Sequence, residues 1–454
     1  MTISPENTTQ TPSSTHNKPK KSAAWVIVLC FVTIIFDGYD LVVYGAITPA
    51  LLKYEPWGLT PVETGAYGSY ALAGMFLGAI LVGYLTDIIG RRKVLLFSIT
   101  AFSLLMLGSA LAPTPVIFGI FRFLAGIGLG GVIPTAIAIT VEFSKPHRRN
   151  FNNALMFSGY AFGGIMAALL AMALLQHIGF RGMLAIGALP VVTIVPLIFF
   201  LMPESPAFLR ARGRIAEAEK VEDEYGLAHA SPAPIANAAA EPRREAKKGR
   251  LATMFSGVTA LATILFCLAG IAGQTLVYGL NTWMPQLMIL ANYSLASSLS
   301  FLLTVNIGAV VGVVITSYLA DRFGPRIITF FSFTSSGLAL LIMSTGVVPL
   351  VGMYALVAVV GFGSIGAQIL LNGFVATYYD NETRASALGL TLGIGRIGAV
   401  LAIALGGVLV AAGYPTFVNF AVWSVPAVVG MIAVGLVPRR KGVVGRQPLD
   451  LSHH

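Results

Sequence analysis

Apolar residues run along this chain in blocks long enough to cross a bilayer as a helix, which takes about 20 residues. Six blocks, at 22–52, 62–85, 94–111, 116–143, 150–175 and 182–201, precede a polar stretch at 203–253. Six more follow, at 255–283, 297–319, 327–346, 350–379, 383–411 and 416–437. Lipid offers no partner to a stray backbone N–H or C=O, and the alternation of a barrel strand is absent, so each block is predicted to be a helix. The predicted fold is therefore an all-α membrane protein of twelve transmembrane helices in two pseudo-symmetric six-helix halves. Its predicted organisation is a polar, disordered tail (1–21), a first half (22–202), a linker loop (203–253), a second half (254–438) and a second tail (439–454).

Composition agrees with this pattern. Of 454 residues, 56% are hydrophobic and 11% are charged, whereas soluble domains carry about 25% charged residues, so most of this surface must face lipid. The net charge of +10 suggests nucleic acid at first sight, but location decides the matter. With the amino end placed inside, all 29 Lys and Arg fall in cytoplasmic segments except Lys53 and Arg181 in outer loops and Arg122 and Arg396 within helices. That bias predicts a multi-pass protein of the plasma (cytoplasmic) membrane, the inner membrane of a two-membrane cell, with both termini cytoplasmic. Basic residues spread over seven segments form no single patch, which argues against nucleic acid as a partner. Cys30 and Cys267 lie in apolar runs and suggest no disulfide framework. No GxSxG, HExxH or Walker motif occurs, and six histidines are too few and too scattered for a metal site. Neither an enzyme, a cofactor, a metal centre nor an ATP-driven pump is expected.

The two halves repeat at an offset of about 234 residues. GYLTDIIGRR, ending at Arg92, matches SYLADRFGPR, ending at Arg326, which sets Asp87 opposite Asp321 and Gly90 opposite Gly324. VVYGAITP matches LVYGLNTWMP, pairing Tyr44 with Tyr278 and Asp40 with Gln274. The run Gly126–Gly131 matches Gly361–Gly366, and Arg148 or Arg149 matches Arg384. Both glycine runs, and a third at Gly393–Gly398, fit the dinucleotide fingerprint GxGxxG, which requires a preceding strand; in apolar helices such residues let backbones approach closely. Two six-helix repeats joined by a polar loop are a transporter architecture, with substrate held near the midplane between them.

These strings carry a resemblance. The doubled plan and the repeated Asp-Gly-Arg loop resemble the major facilitator superfamily over nearly the whole chain. FDGYDLVVYG, FRFLAGIGLGG and MFSGY are similar to the aromatic acid:proton symporters within it, and among those to the benzoate transporters. The sequence departs from the superfamily loop at Ile88, usually Arg, and at Ser317, usually Gly. The resemblance implies the major facilitator fold, import of an aromatic carboxylate with protons to supply aromatic catabolism, and a role in transport for the paired aspartates Asp37 and Asp40.

Ionisable groups within the apolar blocks give independent support, because a charge at the bilayer centre is costly and usually faces a cavity. Asp37 and Asp40 are i, i+3 on one helical face, which Thr33, Tyr44 and Thr48 extend into a polar stripe. Two carboxylates so close repel when both are ionised, so one is a natural proton carrier; the competing reading is permanent neutralisation by an arginine. Arg122 and Arg396 each offer a planar fork for a carboxylate. Arg122 is expected with the aspartates, as the proton-coupling set, unless it snorkels to the outer interface. Arg396 is expected near the substrate carboxylate. Gln274 and Tyr278, with Gln368 and Asn372, form stripes at helical spacing that either orient the ligand or make interhelical hydrogen bonds, and Tyr44 and Tyr278 can stack on a ring.

At the cytoplasmic helix ends, Asp87, Arg91, Glu142, Asp321 and Arg384 are candidate gating residues, since a network formed in one state only would bias alternating access. The linker begins as a charged amphipathic helix, expected to lie on the anionic inner leaflet. The reading as a whole is a monomeric, proton-coupled secondary importer of a small aromatic carboxylate, benzoate or a hydroxybenzoate. A facilitator or exporter of another organic anion, or a transporter-like membrane sensor, would share the fold.

Overall fold

In the computed structural model, which describes residues 21–145, 148–227 and 254–438, the long apolar blocks are helical and no strand occurs among the described residues. The tails at 1–20 and 439–454 and the linker at 228–253 lie outside them. Helices α1 (Ala24–Leu52), α2 (Pro61–Ile89) and α3 (Arg91–Leu111) make the first three crossings. α2 opens on a capping box: the Thr60 hydroxyl accepts from the Glu63 N–H and the Glu63 carboxylate accepts from the Thr60 N–H. The fourth crossing is divided at Gly131 into α4 (Pro115–Gly130) and α5 (Val132–Glu142).

Among the described residues, eleven helices are long and apolar enough to span a membrane. The exception is the sixth predicted block, which is not one helix. α6 (Arg149–Ile186) carries the fifth crossing, breaks at Gly179 (φ 63°), and is followed by a 3-10 turn at Leu189–Val191 and by α7 (Ile194–Leu201). Pro190 and Pro196 bring no N–H to a continuous helical ladder here. The segments nevertheless cross. Arg181 donates to the carbonyls of Ala110 and Ala112, at one end of α3, at 2.8 and 2.9 Å, and Arg92, at the other end, donates to the carbonyl of Phe199. Residues 180–201 thus run antiparallel to α3 along its whole length.

Two short helices, α8 (Pro206–Ala211) and α9 (Ile215–Tyr225), follow. They fold back onto protein, whereas the amphipathic pattern predicted a helix lying on lipid. Tyr225 meets Phe143 edge to face at 5.5 Å, and Arg210 pairs with Glu222 across the hairpin. Lys21 donates to Glu224 at 2.8 Å, which lifts its ammonium above the usual lysine range. The remaining crossings are α10 (Gly257–Leu290), α11 (Leu295–Phe323), α12 (Pro325–Ser344), α13 (Leu350–Tyr378), α14 (Asn381–Ala411) and α15 (Thr416–Leu436).

The repeat is visible in the backbone. Gly90 (φ 98°, ψ 154°) and Gly324 (φ 89°, ψ 146°) adopt the same conformation, one almost confined to glycine. Two residues on, Arg92 and Arg326 both donate to a carbonyl near the end of their half, those of Phe199 and Gly435. The glycine runs pack as helix seams: a Cβ on Gly126 would fall 2.0 Å from the carbonyl of Ala71, and one on Gly361 2.0 Å from that of Val305.

One apolar cluster is built from residues before 226 joined by Val277, Tyr278, Leu299, Leu302, Ala399 and Ile403; a second lies wholly within 254–437. Those six residues mark where the two groups of helices meet. Contact is tightest at the end remote from Gly90. There a Cβ on Gly45 would fall 2.0 Å from the carbonyl of Asn281, and one on Gly407 2.3 Å from that of Pro61.

Candidate functional site

The middle of α1 is buried on nearly every side because α6 lies against it backbone to backbone: a Cβ on Gly38 would fall 2.1 Å from the carbonyl of Tyr160. This contact sets Asp37 and Asp40, 1% and 5% exposed, in the molecule's interior. Arg122, 2% exposed, reaches them from α4 and does not turn out to an interface. Its Nη1 donates to Asp40 Oδ1 at 2.5 Å and lies 3.3 Å from the sulfur of Met106, while the guanidinium sits 5.1 Å from the centre of the Tyr44 ring. Asp40 is thereby paired. Asp37 is not: its Oδ2 is buried with no hydrogen-bond partner among the described residues.

Arg396, in the middle of α14, is half-buried, with no hydrogen bond or ion pair among the described residues. It lies within electrostatic reach of Asp37, Tyr160 and Tyr278. The two tyrosines, from α6 and α10, are joined hydroxyl to hydroxyl at 3.2 Å, a hydrogen bond between the two groups of helices. Around these residues is a cavity of about 20 Å³, lined by Asp37, Asp40, Tyr44, Arg122, Tyr160, Tyr278 and Thr282 among others. That is room for one water and not for an aromatic ring.

Other residues singled out by the sequence are placed differently. The Tyr44 hydroxyl is committed to the carbonyl of Thr64 at 2.6 Å, leaving only its ring to the cavity. Thr33 and Thr48 donate to carbonyls of their own helix, four residues back. Gln274 turns toward Gly395 of α14, and neither it, Gln368 nor Asn372 lines the cavity. Gln368 is buried against Gly273 with both amide atoms unpaired, and the Asn372 carbonyl oxygen is unpaired as well. Tyr160 and Thr282 were missing from the sequence-derived set. Tyr160 closes the string MFSGY, and the repeat sets Thr282 opposite Thr48, so both carried a signal.

At the end of the molecule where α2 meets α3, Arg91 pairs with Glu142, which also accepts from the hydroxyl of Ser205. Glu204 accepts from the backbone N–H groups of Arg92 and Ser205, each at 3.0 Å, and Arg212 donates to the carbonyl of Ile88. Asp321 and Arg384 are exposed, and neither side chain has a partner among the described residues. The side chains of Asp87 and Glu382 lie outside the described residues.

The chain is similar to known proteins. The family model of the Major Facilitator Superfamily matches residues 29–391 and 297–450. A benzoate transport protein of Acinetobacter baylyi is 35% identical over 92% of this chain and 90% of its own. A gentisate transporter of Corynebacterium glutamicum is 34% identical over 91% of this chain and 87% of its own. Among solved structures, the xylose transporter of E. coli in an inward open conformation superposes with a TM-score of 0.70 at 18% identity, covering 93% of this chain and 98% of that one. The chain belongs to the Major Facilitator Superfamily and is a membrane transporter, not an enzyme.

Proposed function

We propose that the protein imports an aromatic carboxylate together with protons by alternating access. The observation that carries this reading is the contrast at the midplane: Asp40 is neutralised by Arg122, while the buried Asp37 carboxyl and the Arg396 guanidinium, within electrostatic reach of each other, each lack a hydrogen bond or ion pair among the described residues. An unpaired carboxyl deep in the membrane is held most cheaply as the neutral acid, and an unpaired guanidinium calls for an anion. The relatives named for benzoate and gentisate supply the class of anion.

In this scheme Asp37 takes a proton from the outer side, the substrate carboxylate settles on Arg396, and the loaded cavity carries no excess charge as the halves move. The Tyr160–Tyr278 hydrogen bond joins two groups that must separate, so it breaks and reforms once per cycle. Residues 22–202 and 254–438 act as the moving halves, with 203–253 as their tether. The distribution of Lys and Arg supports cytoplasmic termini; with them inside, the tight contact at Gly45 and Gly407 is on the outer side, an inward-facing state. The Arg91–Glu142 pair is the gating element of the first half, and Asp321 and Arg384 are its candidates in the second.

Uptake of labelled benzoate into proteoliposomes under an imposed pH gradient tests the reading, with empty liposomes to subtract leak of the free acid. Accumulation that collapses with a protonophore is expected. Accumulation insensitive to the gradient would indicate a facilitator, and binding without flux a sensor.

A further inference from the structure

Arg396 faces two environments. On one side are Asp37, Tyr160 and Tyr278; on the other, between α2 and α14, is a slot of about 360 Å³ lined by Ala73, Phe76, Leu77, Ile397, Val400 and Leu401. Phe76, Leu77, Ile397 and Leu401 are all more than a third exposed, so the slot opens on the lipid side of the helix pair, near the middle of both helices. It ends where the same two helices close together, with a Cβ on Gly65 falling 2.7 Å from the carbonyl of Ile403. The central cavity has room for one water, whereas this slot falls in the range of small-molecule pockets. None of its six apolar side chains can donate or accept a hydrogen bond.

We infer that this slot is the subsite for the aromatic ring and its apolar substituents, with the carboxylate of the same molecule on the Arg396 guanidinium. The inference rests on the proposed transport of an aromatic carboxylate and narrows it to benzoate and alkylbenzoates. Charge complementarity chooses the occupant: one cation at the rim and apolar walls suit a flat apolar body with a single carboxylate. A phospholipid phosphate is anchored at the interface, away from a residue in the middle of α14. A hydroxyl on the ring would enter the slot without a partner, a loss that lowers affinity by about tenfold or more.

The test is binding and uptake by the full chain in nanodiscs and proteoliposomes, with benzoate, 4-methylbenzoate, 4-isopropylbenzoate and 4-hydroxybenzoate. Protein-free nanodiscs subtract partition into lipid. The 4-alkyl acids are expected to bind at least as tightly as benzoate, and 4-hydroxybenzoate about tenfold more weakly. Leu401→Trp fills the slot and should weaken 4-isopropylbenzoate about tenfold relative to benzoate; Ala73→Val, a smaller intrusion, should do so partially and serves if the tryptophan variant does not fold. An order of affinities that neither variant changes, or 4-hydroxybenzoate as the tightest ligand, overturns the inference. The expected order in binding with no uptake overturns the transport reading and leaves the slot standing; uptake with the order reversed does the opposite.

Discussion

The two halves share one backbone plan and treat their charges in opposite ways. In the first, Asp40 and Arg122 neutralise each other, Arg91 pairs with Glu142, and Glu204 and Phe208 lie so close over Gly90 that a Cβ there would fall 2.5 Å from the Glu204 carboxylate. In the second, Gln274 stands opposite Asp40 and Pro325 opposite Arg91; among the described residues, nothing lies within 4 Å of a Cβ on Gly324, and Arg396, Asp321 and Arg384 have no partner. What both keep is mechanical: the left-handed glycine and the arginine that ties the loop to the last crossing of its half. What differs is the supply of unsatisfied charge. A half whose charges are paired, apart from the one carboxyl at Asp37, can move as a unit, while unpaired cations in the other half are available to a ligand or to a second conformation.

Substitutions can break this contrast, and the largest effect belongs at Asp37. Asp37→Asn should reduce pH-driven accumulation of benzoate to the level of empty vesicles with the melting temperature little changed, because the unpaired oxygen supports no contact in the fold. Normal concentrative uptake by that variant would move the proton elsewhere. Asp40→Asn is expected to act on stability instead: it strands the buried Arg122 and should cost about 3–5 kcal/mol, seen as a drop in melting temperature. The double variant Asp40→Leu, Arg122→Met should recover most of that loss without recovering transport. Next comes Arg396→Leu, which removes the proposed charge-assisted hydrogen bond to the anion; substrate affinity measured by calorimetry should fall by about 1.5–3 kcal/mol, or roughly 10- to 150-fold.

At the loop ends the comparison can be sharpened by smaller effects. Glu142→Gln loosens the clamp on the first loop and should cost about 1 kcal/mol, since its carboxylate serves both Arg91 and Ser205 in a partly exposed position. Asp321→Asn and Arg384→Ala should each change stability by less than about 0.5 kcal/mol in detergent, because both side chains are exposed and unpaired in this state. A larger loss at either would mean that the second half has its own clamp.

Much of this was legible in the chain. Eleven of the predicted blocks became membrane-length helical segments with ends within a few residues of expectation, except that the fourth is divided at Gly131, α6 continues past the expected end at Leu175, through the break at Gly179, to Ile186, and α10 continues through Pro285 to Leu290, beyond the expected end at Trp283. The sixth block failed for a local reason, since Pro190 and Pro196 and the 3-10 turn at Leu189–Val191 interrupt a run that is apolar enough to be mistaken for one helix. At the midplane, residue type and spacing identified Asp37, Asp40, Arg122 and Arg396, but spacing along a helix cannot say which carboxylate an arginine on another helix will reach. Nor could it show that the hydroxyl of Tyr44 is spent on Thr64, or that Gln274, Gln368 and Asn372 face neighbouring helices and not the cavity. Tyr160 carried a signal only as the last residue of MFSGY, and as one of the chain's 15 tyrosines it did not stand out by type.

The sequence by itself determined the class of molecule and its symmetry, because lipid requires each apolar run to satisfy its own backbone and a repeat of residues imposes a repeat of structure. It also determined which ionisable groups enter the membrane, since they interrupt an apolar run and cannot escape it. Only the tertiary structure decided which of those charges are paired. That depends on helix rotations and crossings set by glycine seams between segments far apart in the chain, such as Gly38 against Tyr160, and so divides an alike pair of aspartates into one held by Arg122 and one left with an oxygen free.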